Sequence, residues 1–267
     1  MTTETMTKGI TISQFEEKTF EEYSNVELLI GKSVMFPPGQ RAERWFGFDN
    51  AFFLPFHPFL EPSWKMRSRL GRRLGDIIWL KDEFNSLPPF KFNLFIQYKR
   101  PEYVHTELAG EYKYWNRDYY RFALTDHQHR TLRKLSTEVK SDAVVAYCSS
   151  VFWKNETLWS FHENRSIIAN SNFAEVSKIQ EDHHIITYTD PGFTCRGHSE
   201  VELIQSCDIF ELNYGNEKVD NFEIWYKLVS QLSNMMDYPN TDKNLMDRII
   251  LSGRYLEKNN INWLIRS

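Results

Sequence analysis

Two apolar runs separated by a polar, proline-containing stretch stand out in the first half of the chain. Asp76–Leu80 has the sequence DIIWL, and Lys91–Lys99 has the sequence KFNLFIQYK. Both runs are short, rich in β-branched and aromatic residues and bounded by breakers, which is typical of buried strands. The segment KDEFNSLPPF between them has the composition of a turn. The pattern therefore predicts a β-hairpin.

Helical and strand patterns alternate after this hairpin. In Asp126–Val139 the apolar residues recur at helical spacing, whereas 143–149 (AVVAYCS) is an unbroken apolar run typical of a strand. Three further elements are predicted here, namely a strand at 119–124, a helix at 152–163 and a strand at 165–170. The α-β-α-β order over 126–170 predicts parallel strands joined by right-handed crossovers.

Both ends of the chain are predicted to be mainly helical. Ser13-Gln-Phe-Glu16 has the spacing of a capping box ahead of the helical segment EEKTFEEY. The other predicted elements are a strand in HHIITYTD and helices at 39–53, 199–210, 219–236 and 243–257. We therefore expect a helical lead-in (1–34), an α/β core (35–190) and a helical C-terminal region (191–267).

The composition indicates a folded protein of a reducing compartment. Of the 267 residues, 41% are hydrophobic and 15% aromatic, which excludes an intrinsically disordered chain. The three cysteines are odd in number and form no CxxC pair, which favours the cytoplasm. The N-terminus has no apolar signal segment, and the run Ala51–Leu60 is too short to cross a membrane. A net charge of −4 argues against a general polyanion binder but allows a local basic groove.

Candidate chemistry lies at the end of the second predicted strand. Because side chains alternate along a strand, Gln97 and Lys99 share one face, and the hairpin would bring Asp76 beside them. This combination suits metal-assisted hydrolysis of a phosphodiester. Asp76 would hold Mg²⁺ through hard oxygen atoms, and the amide oxygen of Gln97 or the carbonyl of Tyr98 would complete the shell, with Mn²⁺ as the alternative ion. Lys99 would orient the attacking water and offset negative charge. Glu43, on a predicted helix, is the candidate for an assisting carboxylate.

The arrangement resembles the PD-(D/E)xK restriction-endonuclease-like superfamily, and most closely its Mrr-type Q-x-K branch. The matching segments are Glu43 with Phe46-Gly47-Phe48, then Gly75-Asp76-Ile77-Ile78, then Ile96-Gln97-Tyr98-Lys99-Arg100, and downstream VVAYCSSVFWKNETLWSFHENRSIIANSNF. The resemblance covers about residues 35–175. It implies a restriction-endonuclease-like α/β/α sandwich with a mixed central sheet and a Mg²⁺-dependent endonuclease that cuts nucleic acid, with DNA expected. It also implies a role in anti-phage defence, with a protein partner or homo-oligomer. Because a constitutive nuclease would harm its host, we expect a partner to gate the activity. The sequence departs from the family because Gln97 replaces the acidic residue of the second motif.

A basic segment precedes the predicted hairpin. Lys65–Arg73 has the sequence KMRSRLGRR. The arginines expected to contact phosphates are Arg67, Arg69, Arg72 and Arg73, together with Arg100. The alternative for this segment is a solvated surface. Asp49 is the alternative to Asp76 as metal-binding aspartate, unless it is a solvent-facing helix residue.

Two other functions fit the same sequence. In the first, the nuclease-like core is catalytically degenerate, and the chain is an interaction subunit of a defence or DNA-processing complex. In the second, histidines bind a transition metal for phosphodiester hydrolysis, with His127, His129, His183 and His184 as candidates. His127 and Gln128 open a predicted helix and are candidates to line the cleft. No GxxxxGK[ST], GxGxxG, GxSxG or HExxH motif is present, so ATP hydrolysis, dinucleotide binding and triad hydrolysis are not predicted.

Overall fold

The computed structural model describes residues 9–30, 33–36, 92–206, 208, 220–235, 245–259 and 261–266. The five α-helices of these ranges are α1 (Glu17–Ile30), α2 (Asp126–Val139), α3 (Asn155–Glu163), α4 (Asn221–Asn234) and α5 (Leu245–Lys258). The strands of these ranges are β1 (Ile10–Ile12), β2 (Ser33–Phe36), β3 (Phe92–Lys99), β4 (Glu102–Val104), β5 (Tyr119–Ala123), β6 (Val144–Ser150), β7 (Ser171–Glu175), β8 (Ile185–Tyr188), β9 (Thr194–His198), β10 (Glu202–Gln205) and β11 (Asn262–Arg266). The fold is mixed α/β.

One sheet is antiparallel throughout and has six strands in the order β1-β4-β5-β8-β9-β10. Tyr103 pairs with Tyr120 and Tyr120 with Tyr188, so tyrosines lie side by side on three neighbouring strands. The rings of Tyr120 and Tyr188 are stacked, with centroids 5.8 Å apart. Such cross-strand aromatic pairs stabilise antiparallel sheets.

The second sheet has the order β2-β11-β3-β6-β7 and is mixed. The pairs β2–β11 and β6–β7 are antiparallel. Strands β3 and β6 run parallel, because Asn93 Nδ2 donates to Asp142 O at one end and Ser149 Oγ donates to Lys99 O at the other. Every residue of β6 is buried, which is typical of a strand covered on both faces.

The chain divides into two compact units. The first comprises 1–31, 95–137 and 144–212, and the second comprises 32–94, 138–143 and 213–267. An aromatic cluster forms part of the core of the first unit. Phe20 of α1 packs edge-on against Tyr98 with centroids 5.5 Å apart, and Phe15 lies 5.5 Å from Phe152.

Helices α4 and α5 belong to the second unit. Asp220 caps α4, since its carboxylate accepts hydrogen bonds from the backbone N–H groups of Phe222 and Glu223 at 2.9 and 3.3 Å. The Ser252 hydroxyl of α5 donates to Val229 O of α4 at 2.7 Å. Trp225 and Trp263 are among the largest fully buried side chains.

Most of the predicted elements in these ranges are confirmed. The helix predicted at 126–139 has those bounds, and the strands predicted at 91–99, 119–124 and 143–149 agree with β3, β5 and β6 to within one residue at each end. Helices 219–236 and 243–257 correspond to α4 and α5, 152–163 contains α3, and HHIITYTD contains β8. A mixed sheet is also confirmed, whereas the six-stranded antiparallel sheet was not predicted.

The predicted parallel crossover between 143–149 and the next strand is wrong. Residues 165–170 are not a strand: Arg165 has φ +53°, 168–170 form a 3-10 turn, and strand β7 begins at Ser171. The carboxylate of Glu27 accepts hydrogen bonds from the N–H groups of Ile167 and Ile168. The connection thus leaves and re-enters the sheet at the same end, so β7 runs antiparallel to β6, with Ser150 opposite Ser171.

Two predictions about helices are also wrong. The helix expected at 199–210 is replaced by strand β10, whose Glu202 pairs with Gly197 of β9, so the C-terminal range 191–267 contains strands as well as helices. Pairing with β9 outweighs the helical preference of this segment. The predicted capping box is absent, because the Ser13 hydroxyl donates to Phe15 O and α1 begins at Glu17.

The helix predicted at 39–53 and the strand predicted at 76–80 lie outside the described residues. The proposed boundaries at 34/35 and 190/191 stay a prediction. None of the described helices has both the length and the apolar character needed to cross a membrane.

Candidate functional site at the end of strand β3

Strand β3 ends in Gln97, Tyr98 and Lys99, all of them buried. The alternation of the strand sends Tyr98 to one side, where its hydroxyl donates to Asn25 Oδ1 of α1 at 2.7 Å. Lys99 is on the opposite side, where its ammonium donates to Gln128 Oε1 of α2. Helices therefore cover both faces of this strand end, and Gln97 shares the Lys99 face.

Lys99 is a buried lysine with only 8% of its surface exposed. Its ammonium group lies 5.8 Å from the centroid of the Tyr147 ring in β6 and is held by the side-chain oxygen of Gln128. Burial lowers the pKa of Lys99 below its ordinary value, and the nearby Glu17 carboxylate opposes this shift. A cation that is partly desolvated by burial is a feature of functional sites.

Glu17 is the carboxylate that the described residues bring toward Lys99. It opens α1, is half-buried, and has its pKa raised mainly by burial. The charge of Lys99 and the backbone N–H of Arg100 work against this increase. The helix carboxylate predicted from the sequence is Glu43, and Glu17 was not predicted. The sequence indicates this role of Glu17 only weakly. Glu17 begins an acidic helix, but no local pattern predicts that the start of this helix lies beside the end of β3.

A buried polar arrangement supports the site from the α2 side. His129 Nε2 lies 3.0 Å from Gln180 O, which fixes the ring proton on Nε2, so Nδ1 accepts from the Tyr147 hydroxyl at 3.2 Å. Burial lowers the pKa of His129 and keeps its ring neutral near pH 7. His129 therefore orients the ring that lies beside the Lys99 ammonium.

The backbone of Lys99 is anchored by a second set of hydrogen bonds. The Ser149 hydroxyl of β6 donates to Lys99 O at 2.9 Å, and the Tyr188 hydroxyl of β8 lies 2.7 Å from Ser149 Oγ and 2.8 Å from Ser150 O. Tyr188 is fully buried, and burial raises its pKa, so its hydroxyl stays a donor at working pH. The end of β3 is thus tied to β6 of the mixed sheet and to β8 of the antiparallel sheet.

Arg100 binds the segment ahead of α1. Its guanidinium donates to Ser13 Oγ at 3.1 Å, to Ser13 O, and to the Glu16 carboxylate at 3.0 Å. These contacts hold the start of α1, and hence Glu17, beside the end of β3. The predicted contact of Arg100 with nucleic acid stays a prediction.

The other predicted site residues lie outside the described residues, namely Glu43, Asp49, Arg67, Arg69, Arg72, Arg73 and Asp76. Among the residues described, no three His, Cys, Asp or Glu side chains come together to hold a metal ion. The oxygen atoms of Gln97 and Glu17 are of the type that Mg²⁺ prefers, but they do not make a complete ligand set. The metal-binding role of Asp76 stays a prediction. Of the two residues expected to line a cleft, Gln128 contacts Lys99 and His127 is exposed.

Comparison with family models, with curated proteins and with solved structures gives no match to this chain.

Proposed function

We propose that this protein is a Mg²⁺-dependent nuclease whose active site is built around Lys99. The observation that carries the proposal is a buried lysine at a strand end, with Glu17 near its ammonium and Gln97 on its face. A lysine costs free energy to bury, and a fold keeps one where its charge is used. The resemblance to PD-(D/E)xK proteins adds the expectations of DNA as substrate, a gating partner and a role in anti-phage defence.

The chain's own residues supply orientation and charge. Gln128 fixes the direction of the Lys99 ammonium, and the Glu17 carboxylate favours its charged form. A charged Lys99 stabilises the negative charge that develops on the phosphoryl oxygens as water attacks. Asp76, Gln97 and Glu17 or Glu43 would hold the metal ion, which polarises a phosphoryl oxygen and activates water when bound.

The test is a cleavage assay with the purified wild-type chain. Plasmid DNA, linear duplex DNA, single-stranded DNA and RNA are each incubated with Mg²⁺, with Mn²⁺ and with EDTA. The proposal expects cleavage of at least one substrate, most readily DNA, that stops in EDTA. Cleavage that persists in EDTA would contradict the metal-dependent mechanism. Cleavage that needs Zn²⁺ and fails with Mg²⁺ would favour a histidine-based phosphodiesterase.

A second candidate function is that of an interaction subunit with a degenerate nuclease core. The burial of the site favours this second function. Gln97 is 0% and Lys99 8% exposed, so there is little room for a phosphodiester beside them. An exposed aromatic side chain adds a surface for a partner: Trp159 is 51% exposed, and its ring centroid lies 5.2 Å from that of the half-buried Tyr23. This function predicts no metal-dependent cleavage of any substrate and a stable complex on co-expression with a neighbouring gene product.

A further inference from the structure

A second group of reactive side chains belongs to the six-stranded sheet, where the β9–β10 hairpin meets the turn ahead of β8. His183 Nδ1 lies 2.9 Å from Ser199 Oγ, and His183 Nε2 lies 2.8 Å from Glu202 Oε1. The imidazole is buried, with 1% of the residue exposed, whereas Ser199 is exposed at the hairpin turn. A serine, a histidine and a carboxylate are thus connected in series, with the serine accessible from solvent.

The imidazole has a fixed position. It lies directly against the backbone of Gly197, where an added Cβ would come 2.3 Å from the ring carbon Cδ2. The Glu202 carboxylate is also held, because its second oxygen accepts a hydrogen bond from Gln180 Nε2 at 2.8 Å. Only glycine leaves room for the ring at position 197, so the hairpin is shaped around His183.

The hydrogen-bond pattern determines what the imidazole can do. A carboxylate 2.8 Å from Nε2 requires a proton on that nitrogen, so in the neutral ring Nδ1 carries the lone pair that faces Ser199 Oγ. A base in contact with a hydroxyl, itself oriented by a carboxylate, is the arrangement that activates a serine nucleophile. In this structure the Ser199 hydroxyl donates to Asp182 Oδ2 at 2.8 Å, so its proton must turn from Asp182 to Nδ1 when the histidine acts as base.

We propose that Ser199 is a nucleophile, activated by His183 and positioned through Glu202, that cleaves activated carboxylic esters. Ser199 Oγ forms a bond to the acyl carbon while its proton moves to His183 Nδ1. The bond from the acyl carbon to the leaving oxygen then breaks, and that oxygen takes the proton from His183. Water attacks the acyl-serine with the same histidine as base, which releases the carboxylic acid and restores Ser199. This activity is separate from the nuclease function and does not depend on it.

The surroundings of Ser199 indicate the charge of the substrate. Asp182, Glu200 and Glu202 place carboxylates on or next to the hairpin turn. These carboxylates would repel a negatively charged substrate, so an anionic ester is disfavoured. We expect neutral or cationic acyl donors to react faster than anionic ones.

The test is covalent labelling of the full chain with a fluorophosphonate probe, followed by peptide mass spectrometry. Reaction forms an Oγ–P bond and releases fluoride, so the modified serine is identified directly. The proposal expects the label on Ser199 and its loss in Ser199→Ala, while Ser160→Ala, which removes an exposed serine of α3, changes nothing. His183→Gln should slow labelling at least about 100-fold, within the range of general-base contributions. Neutral p-nitrophenyl acetate should be hydrolysed by wild type and not by Ser199→Ala.

Two results would overturn the proposal: a folded wild type without label on Ser199, or a His183→Gln variant labelled as fast as wild type. If His183→Gln loses its folded circular dichroism spectrum, Glu202→Gln replaces it, since Glu202 is one-third exposed. Glu202→Gln is expected to slow labelling about tenfold, and Glu202→Asp to recover part of the rate. Equal labelling rates in Glu202→Gln and wild type would then refute the role of the histidine–carboxylate pair.

Discussion

Substitution of Tyr188 by phenylalanine tests how the end of β3 is anchored. The Tyr188 hydroxyl is fully buried and lies within hydrogen-bond distance of Ser149 Oγ and Ser150 O. Ser149 Oγ in turn donates to Lys99 O. Phenylalanine keeps the ring and its packing and removes only the hydroxyl. The cavity left is therefore small, and the loss comes from hydrogen bonding.

The expected cost follows from the loss of the one hydroxyl proton that Ser149 Oγ and Ser150 O share. A typical hydrogen bond contributes about 1 kcal/mol net, and a buried polar group that loses its partner costs about 1–3 kcal/mol. We expect Tyr188→Phe to lower the free energy of unfolding by about 1.5–3 kcal/mol. Ser149→Ala should show a coupling energy with it of at least about 0.5 kcal/mol in a double-mutant cycle, since the two groups are in contact.

The measurement is urea denaturation followed by circular dichroism and tryptophan fluorescence. Tyr120→Phe is the matched control, because Tyr120 stacks on Tyr188 from the next strand but is only half-buried. It should change the free energy of unfolding by less than about 0.5 kcal/mol. A Tyr188→Phe variant as stable as Tyr120→Phe would refute the reasoning.

Three further predictions concern charge, backbone space and capping. The fold raises the pKa of Glu17 above 4.5, so ionisation of Glu17 destabilises the folded state as the pH rises. The stability of Glu17→Gln, measured by urea denaturation, should therefore increase relative to that of wild type between pH 4.5 and 7. Gly197→Ala should lower the free energy of unfolding by about 1–3 kcal/mol, because its Cβ meets the His183 ring, whereas Gly110→Ala, with nothing within 4 Å, should leave it nearly unchanged. Asp220→Ala should cost about 1 kcal/mol through loss of the cap of α4, as measured by thermal unfolding.

Each of these predictions has a contradicting result. A stability difference between Glu17→Gln and wild type that falls with pH would show that Glu17 is stabilised as a carboxylate. Equal melting temperatures for the two glycine variants would mean that the hairpin adjusts without strain. An Asp220→Ala variant with wild-type stability would mean that water replaces the cap.

Local patterns were sufficient for the elements around the site. The period of Leu132, Leu135 and Val139 predicts α2, and those side chains are buried as that period requires. The apolar runs in β3 and β6 predict buried strands, because a strand covered on both faces has few polar positions. The face shared by Gln97 and Lys99 follows from strand alternation alone.

The remaining features depend on contacts that no local pattern contains. Glu17 reaches the Lys99 end of β3 because Arg100 holds the chain at Ser13 and Glu16, a contact between distant parts of the sequence. Strand β10 forms because β9 offers it an antiparallel edge, although its own residues suit a helix. Strand β7 reverses along β6 because the Glu27 carboxylate binds the turn before it. Tertiary partners determine all three.

The most direct test of the central claim is the single-turnover cleavage rate of two lysine variants in Mg²⁺. Lys99→Met removes the buried ammonium and keeps the length of the side chain, whereas Lys134→Met removes an exposed lysine of α2. Loss of one charge-stabilising group in an active site typically costs about 100-fold to 1000-fold in rate. The nuclease function predicts that loss for Lys99→Met and a wild-type rate for Lys134→Met. Equal, metal-dependent cleavage by both folded variants would contradict an active site at Lys99.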